Sequence, residues 1–523
     1  MKSVMAHQFS QVPQATIQRS SFDRSHGYKT TFDGGYLVPV FVDEALPGDT
    51  FSLNMSGFAR LATPIKPLMD NMYMETFFFA VPYRLVWDNW EKFNGEQENA
   101  GVFVEYTIPQ SPAPVGGYPE QSIADYMGIP TGIDGFNISA LWFRAHLEIY
   151  NEWFRDQNLT DTVGPYSHGD GPDSEFPWGP FRRNKRHDYF TSCLPWPQKG
   201  NSVDLPLGGT ADVIGTLDGQ PKFSVDDQLS TGLQALAGSG DTFVLHAPTV
   251  TGPLVWENPK LVADLSTASA VTINQMREAF QLQKMLEKDA RGGTRYTEVI
   301  RSHFGVTSPD ARLQRPEFLG GGSTPINIAP VAQTQGTDPA VTPTPQANLA
   351  AIGTANLSGH GFTKSFTEHC MIIGYVNVRA DLTYQQGLNR MWSRETRYDY
   401  YWPSLAHLGE QAVLQQEIYI SGVPLEDEIV FGYQERYAEY RYKPSMITGK
   451  FRSVSPTSLD VWHLSQEFLN APVLDNDFIQ DTPPIDRVIA VQDEPHFLFD
   501  AYFKLRCARP MPLYGVPGNI DRF

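Results

Sequence analysis

The chain is 523 residues long with a formal net charge of −19, and 41% of its residues are hydrophobic. That length gives about three ordinary domains or one large all-β domain, with enough apolar residues for a sizeable core. The acidity excludes a free, sequence-reading nucleic-acid binder, which needs a broad basic face against phosphate; 43 glycines and 40 prolines suit short strands, turns and long loops better than a helical enzyme.

Residues 1–35 are polar, and up to Thr31 they set Lys2, Arg19, Arg24 and Lys29 against Asp23 alone. Two expectations follow: a solvated terminus, or an N-terminal arm whose Arg19, Arg24 and Lys29 lie on neighbouring subunits or on nucleic acid. The first residues lack the apolar core of a signal peptide, and no apolar run approaches the roughly 20 residues that span a bilayer. Neither secretion by that route nor membrane insertion is expected. In "TFSLNMSGFARL", Phe51, Leu53 and Met55 alternate with polar residues, as in a strand with one buried face. "MYMETFFFAVP" is nearly continuous apolar from Phe77 to Val81, as in a strand covered on both faces.

The middle of the chain reads differently. "ISALWFRAHLEIYNEWF" places Ile138, Trp142, Ala145, Ile149 and Trp153 on one helical stripe, with Asn137 or Ser139 as cap. "FRRNKRHDYF" packs Arg182, Arg183, Lys185, Arg186 and His187 into six residues. This cluster touches a phosphate backbone locally, acidic groups of a neighbouring subunit, or solvent. Its flanking aromatics, Phe181, Tyr189 and Phe190, anchor it or stack on bases. Residues 200–270 are rich in Gly, Ser, Thr and Asp and read as an exposed insertion with its own small β structure. "TINQMREAFQLQKMLEKDARGG" predicts a helix with Ile273, Met276, Phe280 and Leu286 on a packing face, ended by Gly292-Gly293. Residues 320–361 are almost uncharged and full of Pro, Thr, Gly and Ala. They predict a long interface loop lying across another subunit.

Strand patterns return near the C-terminus. "EHCMIIGYVNVRADL" puts Cys370, Ile372, Val376 and Val378 on one side. "HFLFDAYFKLRCARP" alternates without a break, with Phe497, Phe499, Ala501, Phe503, Leu505 and Cys507 on one face. Cys370 and Cys507 are therefore small core residues. With Cys193 they make an odd, widely spaced set that forms no disulfide framework, which points to a reducing compartment. "RMWSRETRYDYYWPSLAH" and "YQERYAEYRYKPSMITGKFR" interleave Arg with Tyr and Trp. Such residues are enriched at interface hot spots, serve as stacking platforms for single strands, and also pack satellite cores. The subunit-interface candidates are Trp392, Arg394, Arg397, Tyr400, Trp402, Tyr437, Tyr440 and Arg441.

No recognised chemistry stands out. There is no P-loop, HExxH, GxSxG or histidine pair at zinc spacing. No catalytic residue, metal site or cofactor is assigned, and the chain is read as no enzyme. A structural divalent cation such as Ca²⁺ at a subunit junction is compatible with the acids but has no place in the sequence. Strands at both ends of a loop-rich middle point to a Greek-key sandwich of jelly-roll type.

"SSFDRSHGYKTTFDGGYLVPVFVDEALPGDTF", "FRRNKRHDYFTSCLPWPQKG", "RYTEVIRSHFGVTSPDARLQRPEFLGGGSTPINIAPVAQT" and the closing "RPMPLYGVPGNIDRF" resemble segments of the major capsid proteins of gokushovirus-type Microviridae, small single-stranded-DNA bacteriophages. The resemblance runs over nearly the whole chain and is weakest at 200–270, the variable region of that family. It implies a mainly β fold: a single eight-stranded antiparallel jelly roll at 36–523, a viral coat β-sandwich with long loop and helix insertions. It implies a homo-oligomeric T=1 icosahedral capsid of about 60 copies, with 200–270 as a protrusion for host attachment. The implied partners are packaged single-stranded DNA, a small basic internal DNA-binding protein, scaffolding and pilot-type phage proteins, and a host-cell receptor. The implied location is the virion, assembled in the host bacterial cytoplasm. A carbohydrate-binding or carbohydrate-active β-sandwich protein is the alternative that aromatics, acids and a jelly roll also suit.

Overall fold

The structure, a computed structural model, describes residues 18–97, 104–164, 168–174, 176–203, 273–307, 314–336 and 346–514, with short strand segments between 212 and 264. Ten strands make up its two main sheets. They are β1 (Ser20–Asp23), β2 (His26–Phe32), β3 (Val38–Ala45), β4 (Thr50–Leu61), β5 (Met72–Pro82), β6 (Glu317–Pro325), β7 (Asn327–Ala332), β8 (Leu349–Ser365), β9 (Cys370–Ala380) and β10 (Phe497–Arg509). All pair antiparallel. One sheet has the order β1–β10–β4–β8–β7, with β2 also against β10; the other runs β6–β5–β9–β3.

The period-2 patterns explain how the sheets meet. Phe497, Phe499, Phe503 and Leu505 of β10 and Phe51, Leu53 and Met55 of β4 turn inward. They share one core with Met74 and Phe78 of β5 and with Ile372, Val376 and Val378 of β9. The fold is thus mainly β, two antiparallel sheets enclosing a core as in a β-sandwich. Cys370 and Cys507 lie in that core, as expected, and Cys193 is buried in a satellite cluster; all three are free thiols.

The second sheet is covered on both faces, which accounts for the near-continuous apolar run of β5. Phe79, Val81, Met371, Ile373 and Tyr375 point away from the sandwich and pack against Leu141, Ala145 and Ile149. Those three belong to α1 (Leu141–Ile149), whose first N–H donates to Ser139 Oγ at 3.4 Å. Asn137 and Ile138 lie in a short strand instead.

Three expectations change. The stretch 20–32, expected within an arm at 1–35, is two strands of the first sheet, because Phe22 pairs with Cys507 and Phe32 with Phe497 on β10. The stretch 320–361, expected as a loop, contains parts of β6 and β8 and all of β7. Its small residues serve strand packing: a Cβ on Gly321 would overlap the Thr76 carbonyl oxygen, and one on Gly361 the Leu53 carbonyl oxygen. Burial explains only one face of it: Ala351, Ala355 and Leu357 face the core, while most of β7 and the alternate residues of β8 are exposed and still uncharged. Residues 337–345 lie outside the described residues. Finally, α2 (Ile273–Gly292) ends at the expected glycines, but of its apolar stripe Ile273, Met276 and Phe280 are exposed and only Leu286 is half-buried.

The chain divides into two compact units, one of Met1–Pro197 with Asp289–Phe523, the other Gln198–Lys288. The second holds antiparallel pairs of short strands: Asp212–Gly215 with Leu261–Asp264, Lys222–Val225 with Leu254–Glu257, and Gln234–Ala237 with Phe243–His246.

Candidate functional site

The basic cluster forms a strap across the outward face of the second sheet. Its backbone is held at both sides. Arg183 N donates to Gly35 O at 2.8 Å, Lys185 N to Ile479 O at 2.7 Å, and Asp481 N to Arg183 O at 2.8 Å. The anchoring aromatics are consumed in place. Phe181 stacks on His146 and Tyr150, while Tyr189 and Phe190 are buried in a satellite core.

Each of the four long basic side chains has an internal partner. Arg182 lies over Tyr36 at 4.1 Å and donates to Asp481 O. Arg183 lies over Phe77 and pairs with Glu75. Arg186 lies over Tyr73 and reaches Glu75 at 3.2 Å and Asp381 at 3.3 Å. Lys185 Nζ donates to Phe478 O at 2.6 Å and Gln466 Oε1 at 2.9 Å. The strap is thus no solvated loop, and of its residues 182–187 only His187 is exposed.

Glu75 is the counter-charge, since Arg379 of β9 also reaches it at 2.8 Å. Burial alone would raise its carboxyl, but Arg183, Arg379 and Arg186 outweigh that and hold it below the usual range. Burial pulls Arg183 down to about 10 and Lys185 down to about 8. Burial also pushes Asp481 up to about 6, against the pull of Lys185, Arg379 and Arg183.

The N-terminal basic residues are placed on the first sheet. Arg24 holds Asp43 through both carboxylate oxygens, at 2.6 and 2.7 Å. Lys29 meets Asp500 at 2.9 Å in solvent, and Arg19 donates to Thr50 Oγ1 at 2.9 Å.

The aromatic segments form a second surface. Trp392, Tyr400, Trp402 and Tyr440 are exposed, with Trp392 at 71%. Arg394 is sandwiched beneath them, 4.5 Å from the Tyr440 ring and 5.1 Å from Tyr400, and 3.6 Å from Glu439. Arg397 covers Tyr398, and Arg441 pairs with Glu435. Tyr437 is buried instead; it takes the left-handed conformation at φ 62°. Tyr398 and Tyr401, not singled out in the sequence, join the exposed set.

Sequence reading missed a cleft beside the strap, a cavity of about 1100 Å³. Arg155, Arg291, Arg295, Arg301 and Arg379 line it together with the strap's Arg183, Lys185 and Arg186. These cations come from four separate stretches, so no local run signals them. Among the described residues, no group of three His, Cys, Asp or Glu is placed to hold a metal ion, and no helix is long and apolar enough to cross a membrane.

Comparison with known proteins identifies the type of molecule. The family described as Capsid protein (F protein) matches residues 10–519. The chain is 46% identical to Capsid protein VP1 of Bdellovibrio phage phiMH2K, over 99% of this chain and 98% of that protein. It is 45% identical to Capsid protein VP1 of Chlamydia phage 1, again over 99% and 98%, and 36% identical to that of Spiroplasma virus 4, over 98% and 97%. These are gokushovirus-type Microviridae, and their proteins are structural, not enzymes. The carbohydrate-active alternative finds no support. A full-length match, a β-sandwich and a large exposed aromatic surface thus agree: the chain belongs to the phage capsid protein (F protein) family and is a structural major capsid protein of the virion.

Proposed function

We propose that the chain builds a closed T=1 icosahedral shell of about 60 copies around a circular single-stranded DNA genome, from a jelly-roll sandwich. The strand order supports the jelly roll. Taking β2, β3, β4, β5, β6, β8, β9 and β10 in chain order, the first pairs with the eighth, the second with the seventh, the third with the sixth and the fourth with the fifth. That is one long hairpin rolled into two sheets.

The exposed aromatic surface around Trp392 and Tyr400 carries the assembly reading. A soluble single chain rarely leaves so many Trp and Tyr side chains of one segment uncovered, and these residues combine contact area with hydrogen bonds. Asp and Glu outnumber Lys and Arg by 59 to 40, so the shell does not neutralise a genome, and a small basic internal protein is its expected companion. The compact unit Gln198–Lys288 fits a protrusion that meets the host receptor. Scaffolding and pilot-type proteins, and assembly in the bacterial cytoplasm, complete the proposal.

The test is electron microscopy of the purified particle with nuclease-protected DNA quantified from the same fraction. Icosahedral shells holding single-stranded DNA are expected. Particles of another symmetry, or shells holding only duplex DNA, would overturn the reading.

A further inference from the structure

We propose that the cleft beside the strap binds a segment of single-stranded DNA, with phosphates on Arg155, Arg301 and His187 and bases against Trp153, Phe154 and Phe318. The proposal deepens the capsid reading and rests on it for the source of the DNA.

The cleft's cations fall into two groups. Arg183, Arg186 and Arg379 share the single carboxylate of Glu75, with Asp381 also on Arg186; Lys185 is held by Phe478 O and Gln466, Arg291 is paired with Glu410, and Arg295 faces Glu298 and Glu152. The second group has no such partner. Among the described residues Arg155 has no carboxylate at ion-pair distance; its Nη1 donates to Thr160 O, and its Nε is buried with no partner. Burial and the neighbouring Arg295 both disfavour its charge, which an incoming anion would relieve. Arg301 is exposed on α3 (Tyr296–Phe304) and its side chain makes no described hydrogen bond or ion pair. His187 is exposed at the end of the strap. The lining carboxylates are already engaged. Glu298 faces Arg295 and caps α3, and Asp156 accepts from Asn158 N at 2.8 Å.

The aromatic lining selects among anions. Phe318 is 41% exposed and stands 6.1 Å from Trp153, with Phe77, Phe79 and Phe154 around them. Phe79 is buried, Phe77, Trp153 and Phe154 pack against the core and Arg315 lies over Trp153, so Phe318 offers the open face; an acidic peptide would use the guanidiniums alone, whereas a single strand uses both, since every base has a face to stack. The volume exceeds the roughly 300–1,000 Å³ of small-ligand sites, which suits several linked nucleotides better than one free anion.

The test uses the full-length subunit and a fluorescent oligothymidylate, titrated over a salt series, with bromodeoxyuridine-substituted oligomer for photocrosslinking. Binding is expected to weaken with salt, and Arg301→Gln should flatten the slope of log K against log salt by about 0.7. Arg155→Gln should do the same, and crosslinks should fall on Trp153, Phe154 or Phe318. Arg301 is exposed and unpaired, so its variant should melt like the parent; it keeps the test valid if Arg155→Gln misfolds. Unchanged affinity and slope in Arg301→Gln, or crosslinks only outside the cleft, overturn the proposal. So does displacement of the oligomer by an oligoglutamate that binds tighter, which would give the cleft to an acidic segment of a partner. Shell formation is scored separately by microscopy. Normal shells with no cleft binding sink this inference alone, and cleft binding without shells sinks the proposed T=1 shell alone.

Discussion

Glu75 faces three guanidiniums, and its position shows how an acidic protein uses a concentrated basic run. Tyr73, Glu75 and Phe77 alternate on the outward face of β5, and Arg186 and Arg183 settle on them in reverse order. Replacing Glu75 by Gln leaves Arg183 and Arg379 largely buried without the carboxylate that both contact directly. The expected cost is about 3 kcal/mol, read as a loss in the denaturation midpoint of the subunit. Because the folded carboxyl titrates below its unfolded value, its stabilisation is complete above the ordinary glutamate range and disappears as the pH falls through the folded value. The gap between parent and variant should therefore shrink in acid; a gap that widens there would refute the assignment. The cation count of the strap was legible in the sequence. Its partners were not, because Glu75 and Arg379 lie far away along the chain.

At the scale of the element, long alternating strands were readable and small-residue strands were not. β10 buries every second residue from Phe497 to Cys507, as its alternation predicts. β6 to β8 looked like loop because Gly, Ala and Thr carry little hydrophobic signal, yet those residues permit close strand approach. Gly361→Ala tests this. The added methyl would press on the Leu53 carbonyl beside the irregular register between Leu357 and His360, where β8 crosses β4. Overpacking of this kind costs about 1–3 kcal/mol, measured as a lowered melting temperature; an unchanged one would show that the strand yields freely. The stripe of α2 makes the opposite point. Its period announced the helix correctly, but period alone does not supply a partner for Ile273, Met276 and Phe280.

At the scale of the whole molecule, the single chain leaves aromatic surface that assembly is proposed to cover. Trp392→Ala combined with Tyr400→Ala should change the stability of the isolated subunit by no more than about 0.5 kcal/mol, since both side chains are exposed. It should reduce the particle fraction sharply in sedimentation, because hot-spot losses of about 2 kcal/mol or more recur at every copy of the contact. Normal shell yield would remove this face from the interface. Tyr437, grouped with these residues on sequence, belongs to the core side of the same segment; its left-handed backbone turns the ring inward while Tyr440 stays out.

The sequence by itself determined the β character, the strands with unbroken alternation, the core role of Cys370 and Cys507 and, through long specific segments, the capsid family. These are local signals, written in period 2 and in contiguous residues. Only the tertiary structure decided that the basic cluster is a strap bound to its own chain, that uncharged 320–361 contributes strands, and that scattered arginines surround one cleft. Each of those depends on contacts between residues far apart along the chain, such as Arg183 with Glu75 or Lys185 with Phe478. Such partners are chosen by the register of the sheets and not by sequence spacing.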